Sequence, residues 1–293
     1  MYYLVYAFFY IMSLLPWRVL YIISDFIYLI VYYVVGYRKD IVMNNLLIAF
    51  PEKTFEQRKK IAKEFYKIFT DSFIEIFKLM FITKEELNKR ITANYEVINN
   101  LYESGKNVQL LSGHFFNWEF ANLVYAINLK YTFMGVYAPL SNKTLDKIFY
   151  KYRKKFGTIL IPSNDFKNTF QKNNKLQYCI ALVGDQNPRN IEKAYWTKFF
   201  GRMTPVVMGP ERSAKFENTA VVVANFYRVK RGYYRSECKL LTIEPSSMQH
   251  GEITKQYLLF IEESVKKNPA GYLWSHRRWR HEFDKEKYAS QVI

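Results

Sequence analysis

Two apolar, tyrosine-rich runs open the chain, Tyr2–Leu15 and Val19–Val35, with Pro16-Trp17-Arg18 between them. Each run is short for a membrane span of about 20 residues, and Asp25 interrupts the second. Four interpretations stay open: one bent transmembrane helix, a re-entrant helical pair, an amphipathic anchor lying in the membrane interface, or a buried helical hairpin of a soluble protein.

Basic residues lie on the C-terminal sides of these runs, at Arg18, Arg38 and Lys39. If a segment spans, the positive-inside tendency keeps the rest of the protein cytoplasmic. We therefore predict a membrane-anchoring helical segment over residues 1–36 and a cytoplasmic domain over residues 37–293.

Helical periodicity dominates the next part of the chain. Tyr37–Pro51 predicts a short helix that ends at proline, and Glu56–Arg90 predicts a long helical stretch. Apolar residues of the long stretch fall on one face and lysines on the other. This face either packs on the core or helps to hold a lipid chain.

From residue 108 onward, strand and helix patterns alternate, and the order predicts an α/β fold with a mainly parallel central sheet flanked by helices. The predicted strands are Val108–Leu111, Tyr131–Tyr137, Thr158–Ile161 and Leu176–Val183, and the predicted helices are Asn142–Phe156 and Asp165–Lys172. Thereafter we predict a helix over Thr204–Asn218, an antiparallel pair of strands over Ala220–Tyr227 and Glu237–Ile243, and a closing helix over Lys255–Lys267.

The most informative stretch follows the first of these strands, where Gly113 ends the apolar run and His114 and Glu119 follow among aromatic residues. On one continuous helix, residues five apart point roughly 140° away from each other. Across a strand-to-helix corner the two side chains can converge, and Asn117 can cap the helix that begins at Trp118. A histidine held by a carboxylate is the usual general base for a hydroxyl near neutral pH. The competing interpretation is a structural histidine capped by a neighbouring acid.

A second acid, Asp185, follows the strand Leu176–Val183. In parallel sheets, sites form at the carboxyl ends of strands, so His114 and Asp185 could share one cleft. The alternative is that Asp185-Gln186 is a polar turn after a buried strand.

Composition narrows the choice of partner. The chain has 293 residues, enough for one sizeable core, and a formal net charge of +17. That charge favours an anionic partner: nucleic acid, an anionic lipid surface or an acidic protein. Cys179 and Cys238 lie far apart and are expected to be reduced structural thiols. No cofactor or metal motif is present in the sequence.

Several blocks, taken in order, resemble the bacterial lipid A secondary acyltransferases, a lauroyl/myristoyl acyltransferase family within the lysophospholipid acyltransferase-like superfamily. The resemblance runs from about residue 4 to about residue 282 and includes Asn44-Asn45-Leu46 and Phe50-Pro51. Its core is a histidine and an acid five residues apart. The matching blocks are His114-Phe115-Phe116-Asn117-Trp118-Glu119, Gly135-Val136-Tyr137-Ala138-Pro139-Leu140 with Asn142, Arg153 before Phe156-Gly157, Asp185-Gln186, Phe199-Phe200-Gly201 with Thr204, and Pro269 with Tyr272–Trp279.

The resemblance implies an inner-membrane enzyme that faces the cytoplasm and moves a fatty acyl chain from acyl carrier protein, or acyl-CoA, to a hydroxyl of a lipid A precursor. His114 is then the general base and Glu119 its partner, with no covalent intermediate. The family position of Asp185 is needed for activity. Donors to the oxyanion are expected from Arg153 or from a backbone N–H near Gly113.

The remaining substrate-binding candidates come from the same blocks and from the basic C-terminal cluster. They are Tyr137, Asn142, Arg153, Gln186, Arg277 and Arg278. Arginine forks match phosphate well, so the cluster with Arg280 and His281 either grips phosphate or forms a solvated face.

Other functions stay open at this point. Many family members carry a basic residue where this chain has Ala138, so the acceptor could be another glycolipid, an aminolipid or a lysophospholipid. A nucleic-acid-binding protein would suit the charge, but the basic residues are spread along the chain. A metal hydrolase could use His114, Glu119 and Asp185 as ligands, but zinc sites usually contain more than one histidine.

Overall fold

The structure, a computed structural model, describes residues 2–293. Helices dominate its first part. The elements there are α1 (Tyr2–Leu14), α2 (Trp17–Leu29), α3 (Lys39–Ala49), α4 (Phe55–Glu75), α5 (Lys84–Arg90), β1 (Ile91–Ala93), α6 (Glu96–Asn99), β2 (Val108–Ser112) and α7 (Trp118–Asn128).

Strands and helices alternate in the remainder. These elements are β3 (Thr132–Tyr137), α8 (Lys143–Arg153), β4 (Ile159–Pro162), α9 (Phe166–Asn173), β5 (Tyr178–Val183), β6 (Ala194–Phe199), β7 (Arg202–Val207), α10 (Gly209–Glu217), β8 (Ala220–Ala224), β9 (Tyr227–Lys230), β10 (Tyr233–Ser236), β11 (Cys238–Thr242), α11 (Glu252–Lys267) and α12 (Lys285–Tyr288).

A six-stranded sheet lies at the centre, in the order β11-β8-β2-β5-β3-β4. Its strands pair in parallel except β11, which runs antiparallel to β8. The predicted mixed α/β fold with a mainly parallel sheet is therefore confirmed, as is the antiparallel pair near the C-terminus. Two smaller sheets, β1-β10-β9 and β6-β7, complete the strands among the described residues.

Helices cover both faces of the central sheet because its strands are apolar on both sides. On one face, Tyr125 of α7 belongs to a buried cluster with Leu110 and Val222. On the other face, Leu111 belongs to a larger cluster that includes Ile261 of α11. Strands buried on both faces are typical of parallel sheets.

Helix α2 is fastened along one side to α4 and to the β9-β10 turn, and a π-helical turn, Ile30–Val35, continues it. Ser24 Oγ donates to Asp71 Oδ1 at 2.7 Å. Asp25, the acid that interrupts the apolar run, pairs with Arg231 at 2.7 Å, and Arg231 also bonds to Asp71 at 2.6 Å. Ser24 and Asp25 of α2 thus face the rest of the protein.

The opposite side of α1 and α2 is apolar and exposed. Its large side chains, each more than half exposed, are Tyr3, Leu4, Phe8, Ile11, Leu14, Ile22, Phe26, Tyr33, Val34 and Val35. Among the described residues, Trp17–Val35 is the one helix that is long and apolar enough to cross a membrane by length and composition, with a mean hydropathy of 1.7.

The sequence-based prediction for Thr204–Asn218 was wrong in its first half. That half forms β7, which pairs with β6 in a hairpin, and only α10 is helical. Phe200 and Gly201 form the turn with φ of 49° and 75°, a conformation that glycine adopts without strain. The long helix predicted over Glu56–Arg90 is also broken, because Ile76–Met80 forms a 3₁₀ turn between α4 and α5.

Candidate active site

The register of the sheet brings His114 and Asp185 together. Ser112 of β2 is paired with Val183 of β5, so the two polar residues, each two positions further on, leave the sheet side by side. His114 Nδ1 lies 2.5 Å from Asp185 Oδ1, and the His114 backbone N–H donates to Asp185 Oδ2 at 3.0 Å. The prediction that they share one cleft at the carboxyl ends of the strands is confirmed.

Asp185 is held as an anion. Its side chain is fully buried, which alone would raise its pKa, but the attraction of His114 and hydrogen bonds from His114 and Tyr272 lower the pKa to about 2. The His114 ring keeps about a quarter of its surface exposed (26%), so it remains accessible while its orienting carboxylate does not. A buried carboxylate that fixes a histidine is the arrangement that a general base requires.

Tyr257 locks the two strand ends that carry this dyad. Its hydroxyl donates to the Ser112 carbonyl at 2.7 Å and accepts from the Gly184 N–H at 3.0 Å. The segment after α11 also contributes, since the Leu273 N–H donates to the His114 carbonyl at 3.1 Å. These bonds hold the imidazole on rigid elements.

Glu119 does not orient the imidazole, and that part of the prediction is corrected. Its carboxylate forms a fork with Arg153, with Nη2–Oε1 at 2.5 Å and Nε–Oε2 at 2.9 Å, and it accepts from Trp118 Nε1 at 3.2 Å. Helix α7 turns Glu119 toward α8, where Arg153 occupies the last turn. The corner does cap as predicted: Asn117 Oδ1 accepts from the Phe120 N–H at 3.4 Å.

Trp118 separates the two charged pairs. Its ring lies 6.4 Å from the His114 ring, between centroids, and it also lines a narrow apolar pocket. Phe73 and Ile76 of the α4 region form another wall of this pocket, and Glu119 lies at its margin. An apolar space therefore lies beside Trp118, the neighbour of the His114 ring, although neither His114 nor Asp185 lines it.

On its other side the dyad lines a narrow crevice that also contains several of the predicted residues. The residues that line it are Asn45, His114, Asp185, Gln186, Tyr272, Leu273, Trp274, His276, Arg278 and Trp279. Gln186 and Arg278, two of the predicted substrate-binding residues, line the same crevice as His114, whereas Arg153 pairs with Glu119.

The remaining predicted residues lie outside the crevice. Asn142 caps α8, accepting from the Thr144 and Leu145 amides at 3.0 and 3.1 Å. Tyr137 is half-buried and its ring lies 5.7 Å from the Arg153 guanidinium carbon. Arg277 is exposed. Its neighbour is not: Arg278 is 2% exposed, so the predicted arginine cluster is not one solvated face.

No role was predicted from the sequence for Asn45 or for Asn187, two side chains that position the segment lining this crevice. Asn45 of α3 donates to the Trp274 and His276 carbonyls at 2.7 Å each. Asn187 donates its backbone N–H to His276 Nε2 at 3.4 Å and its side-chain amide to the Arg277 carbonyl at 2.7 Å. Asn187 could have been found from the sequence as a polar residue that follows the end of a predicted strand, Leu176–Val183.

His276 is neutral at neutral pH. Burial, then the charge of Arg278, lowers the pKa of His276 to about 4, and Nε2 serves as an acceptor. Only His114 among the histidines of the crevice has a carboxylate partner in the described chain. No cluster of three or more His, Cys, Asp or Glu side chains that could hold a metal is found among residues 2–293.

An oriented histidine at a strand end, an apolar pocket beside the neighbouring Trp118 and an exposed apolar helical face are features expected of an enzyme that acts on lipids. The sequence profile of the bacterial lipid A biosynthesis acyltransferases matches residues 1–281, and the chain belongs to that family. It is therefore an acyltransferase, of a family that is associated with the membrane and uses an acyl donor and a lipid A-type acceptor. A search among curated proteins found no match.

Proposed function

We propose that the protein transfers a fatty acyl chain from acyl carrier protein to a hydroxyl of a lipid A precursor at the cytoplasmic face of the inner membrane. The observation that carries this proposal is His114, oriented by the buried Asp185 and open to a crevice beside an apolar pocket. Acyl-CoA is the alternative donor with the same thioester chemistry.

The reaction is direct transfer in two steps. His114 takes the proton of the acceptor hydroxyl as its oxygen forms a bond to the thioester carbonyl carbon, and the carbonyl electron pair moves to oxygen. The tetrahedral intermediate then collapses, the C–S bond breaks, and the leaving thiolate takes the proton from His114. Asp185 stabilises the positive imidazole between the two steps.

The absence of a covalent intermediate is supported by the crevice itself. None of the residues that line it is a serine or a cysteine, and Cys179 and Cys238 are both buried elsewhere in the described chain. The nucleophile is therefore the acceptor hydroxyl and not a side chain.

The apolar pocket beside Trp118 is the proposed site for the start of the acyl chain. Phe73, Ile76 and Phe116 supply its walls, and Phe73, which is 49% exposed, reaches the protein surface. Glu119 acts here as the partner of Arg153 and not of His114, and their ion pair supports the wall that carries Trp118.

For acceptor recognition we propose Gln186 inside the crevice and Arg277 at its exposed rim. Tyr137 and Asn142 contribute indirectly, by packing near Arg153 and by capping α8. The formal net charge of +17 suits an acidic carrier protein, a phosphorylated lipid and an anionic leaflet.

We also propose that residues 1–36 anchor residues 37–293 to the membrane by lying along its surface. The apolar side of α1 and α2 faces outward, while the polar side of α2 is bonded to α4 through Ser24 and to Arg231 through Asp25. A helix fastened along its length to a charged domain fits an interfacial anchor better than an isolated span.

The test is transfer by the purified protein with acyl carrier proteins of several chain lengths and a defined lipid A precursor. His114→Ala and Asp185→Asn should each lower kcat by roughly 10²–10⁴-fold, the usual contribution of a positioned base. His250→Ala, at an exposed histidine outside the crevice, is the matched control and should retain activity. Near-normal turnover of His114→Ala would refute the assignment of the base.

The acceptor has one specific alternative, because Ala138 stands where many relatives carry a basic residue. The same chemistry would then act on another glycolipid, an aminolipid or a lysophospholipid. Mass spectrometry of envelope lipids from a deletion strain decides between them: loss of one acyl chain from lipid A supports the proposal, and loss from a different lipid replaces the acceptor.

A further inference from the structure

Arg278 is a buried cation in the wall of the crevice that contains His114. Its side chain is 2% exposed. Nη1 donates to Asn187 Oδ1 and to the Pro205 carbonyl, both at 3.0 Å. Within the described residues, Nε and Nη2 have no hydrogen-bond partner at all.

Two unpaired donors on a buried charge are costly. A buried donor left without a partner typically costs about 1–3 kcal/mol, and more when the group is charged. Native proteins keep few such groups, and those that persist call for an explanation such as catalysis. The unpaired edge of Arg278 belongs to the site, so an anion bound in the crevice would satisfy it.

The guanidinium is also fixed in place before any ligand arrives. Asn187, which accepts from Nη1, is itself held by the Arg277 carbonyl at 2.7 Å and by His276 Nε2 at 3.4 Å. Preorganised donors of this kind stabilise developing charge because they need no reorientation during the reaction.

The donors that the sequence suggested for the oxyanion are already engaged. Arg153 is forked onto Glu119. Near Gly113, the backbone amides of His114, Phe115 and Phe116 donate to Asp185, to the Gly113 carbonyl and to the Gly271 carbonyl, respectively. Arg278 is the charged donor of the crevice that keeps free N–H groups among the described residues.

We propose that Arg278 is the oxyanion donor of the transfer reaction, binding the thioester carbonyl oxygen through Nε and Nη2. This inference rests on the proposed function. As the acceptor oxygen bonds to the carbonyl carbon and its proton passes to His114, the carbonyl oxygen gains the electron pair and faces Arg278. When the C–S bond breaks, the pair returns to the C=O bond and the thiolate leaves with the proton.

The competing ligand for the same donors is a phosphate group of the acceptor, as the sequence suggested for Arg277 and Arg278. Burial favours the carbonyl oxygen, since Arg278 is a 2% exposed residue of the crevice wall whereas Arg277 is exposed. A phosphate role predicts weaker acceptor binding, whereas an oxyanion role predicts a slower reaction with the acceptor bound.

The experiment separates these roles with Arg278→Lys and Arg278→Met in the full-length purified protein, and with Arg212→Met, an exposed arginine of α10 outside the crevice, as the matched control. We measure kcat and the KM for a phosphorylated lipid A precursor, and separately the hydrolysis of acyl carrier protein thioester without acceptor. Both Arg278 variants should lose roughly 10²–10³-fold in kcat, and the same factor in hydrolysis, because both reactions form the same oxyanion. Arg212→Met should leave kcat and hydrolysis unchanged.

A rise in KM with unchanged kcat and hydrolysis would overturn the inference and assign Arg278 to phosphate. Should the Arg278 variants fail to fold by circular dichroism, Asn187→Asp decides: it keeps an acceptor for Nη1 but adds a negative charge beside the guanidinium. Equal losses in kcat and hydrolysis support the inference, and unchanged values reject it. If the wild-type protein transfers no acyl group to the precursor, the proposed function fails instead.

Discussion

At the scale of single residues, the site consists of two separate ion pairs with a tryptophan between them. His114 and Asp185 face the crevice, while Glu119 and Arg153 lie behind Trp118. This division changes the role of Glu119: it neutralises a buried arginine instead of orienting the base. The two carboxylates of the site therefore serve different cations, and their substitutions should have different consequences.

Removing one member of the Glu119–Arg153 pair should destabilise the fold. The side chains are 4% and 16% exposed, so either single substitution, Glu119→Gln or Arg153→Met, leaves the other charge buried and costs about 3–5 kcal/mol. The double variant should lose less than the sum, with a coupling energy of about 1–3 kcal/mol in the free energy of unfolding. Denaturant unfolding of the four proteins measures it.

The exposed pair Lys130–Glu103 is the control for this cycle. Its atoms approach to 3.0 Å, but the side chains are 52% and 77% exposed, so its coupling should stay under about 1 kcal/mol. Additive losses at Glu119 and Arg153 would show that the buried contact contributes no more than the exposed one.

Part of this site could be predicted from the sequence. The cap at Asn117 and the positions of His114 and Asp185 just past two strands follow from local patterns, and all three are found as predicted. The partner of Glu119 was not predictable in the same way. A spacing of five shows that two side chains can meet across a corner, but the actual partner is set by where α8 packs against α7, a contact distant in sequence.

At the scale of elements, Glu75 joins four of them at one buried carboxylate. Tyr21 of α2 and Tyr234 of β10 donate to it at 2.9 and 2.6 Å, and Asn117, the cap of α7, donates at 3.0 Å. Glu75 itself ends α4. The N-terminal helices are thereby coupled to the helix that follows His114.

Stability should depend on pH through Glu75. Burial, only partly offset by these hydrogen bonds, raises the pKa of Glu75 from 4.5 to about 7. In the unfolded chain the carboxyl ionises near its ordinary pKa, so between that pKa and about 7 the unfolded state binds fewer protons and stability falls as pH rises. The loss should reach about 3 kcal/mol. Glu75→Gln should remove this loss, measured as the free energy of unfolding at about pH 5 and about pH 8.

Glu64→Gln supplies the comparison, since Glu64 is exposed on the same helix. Its pH dependence should match that of the wild-type protein. Parallel curves for all three proteins would mean that Glu75 ionises in the folded state as readily as a solvated carboxyl.

Some secondary-structure elements could be predicted from the sequence and others could not. The alternation of apolar strands and amphipathic helices was sufficient for the central sheet, because each of those elements carries its own periodicity. The hairpin of β6 and β7 was not predicted. Pro205 and Pro210 interrupt the hydrophobic pattern of this stretch, and the pairing of the two strands depends on a turn at Phe200-Gly201. The register between β2 and β5, which creates the dyad, is likewise a long-range property.

At the scale of the whole molecule, basic side chains contact α2, and the π-helical turn that continues it, at three positions along their length. Arg90 lies 3.8 Å from the Trp17 ring centroid at its start, Arg231 binds Asp25 in its middle, and Lys39 lies 4.1 Å from the Tyr32 ring centroid near its end. If α2 crossed the bilayer with these contacts intact, the charges would enter the hydrocarbon, at a cost of at least about 2.5 kcal/mol each. Lying flat, α2 keeps them at head-group level.

Depth measurements along α2 test this orientation. Single cysteines at Ile22, Phe26 and Tyr33, all well exposed on the apolar side, can carry spin labels in vesicles of anionic lipid, because the native Cys179 and Cys238 are buried. An interfacial helix should place the three labels at a similar shallow depth, within about 5–10 Å of the head-group boundary. A label at Phe216, exposed on α10 and outside the N-terminal helices, should report water. A gradient with the Phe26 label at the bilayer centre would show instead that α2 leaves α4 and crosses the membrane.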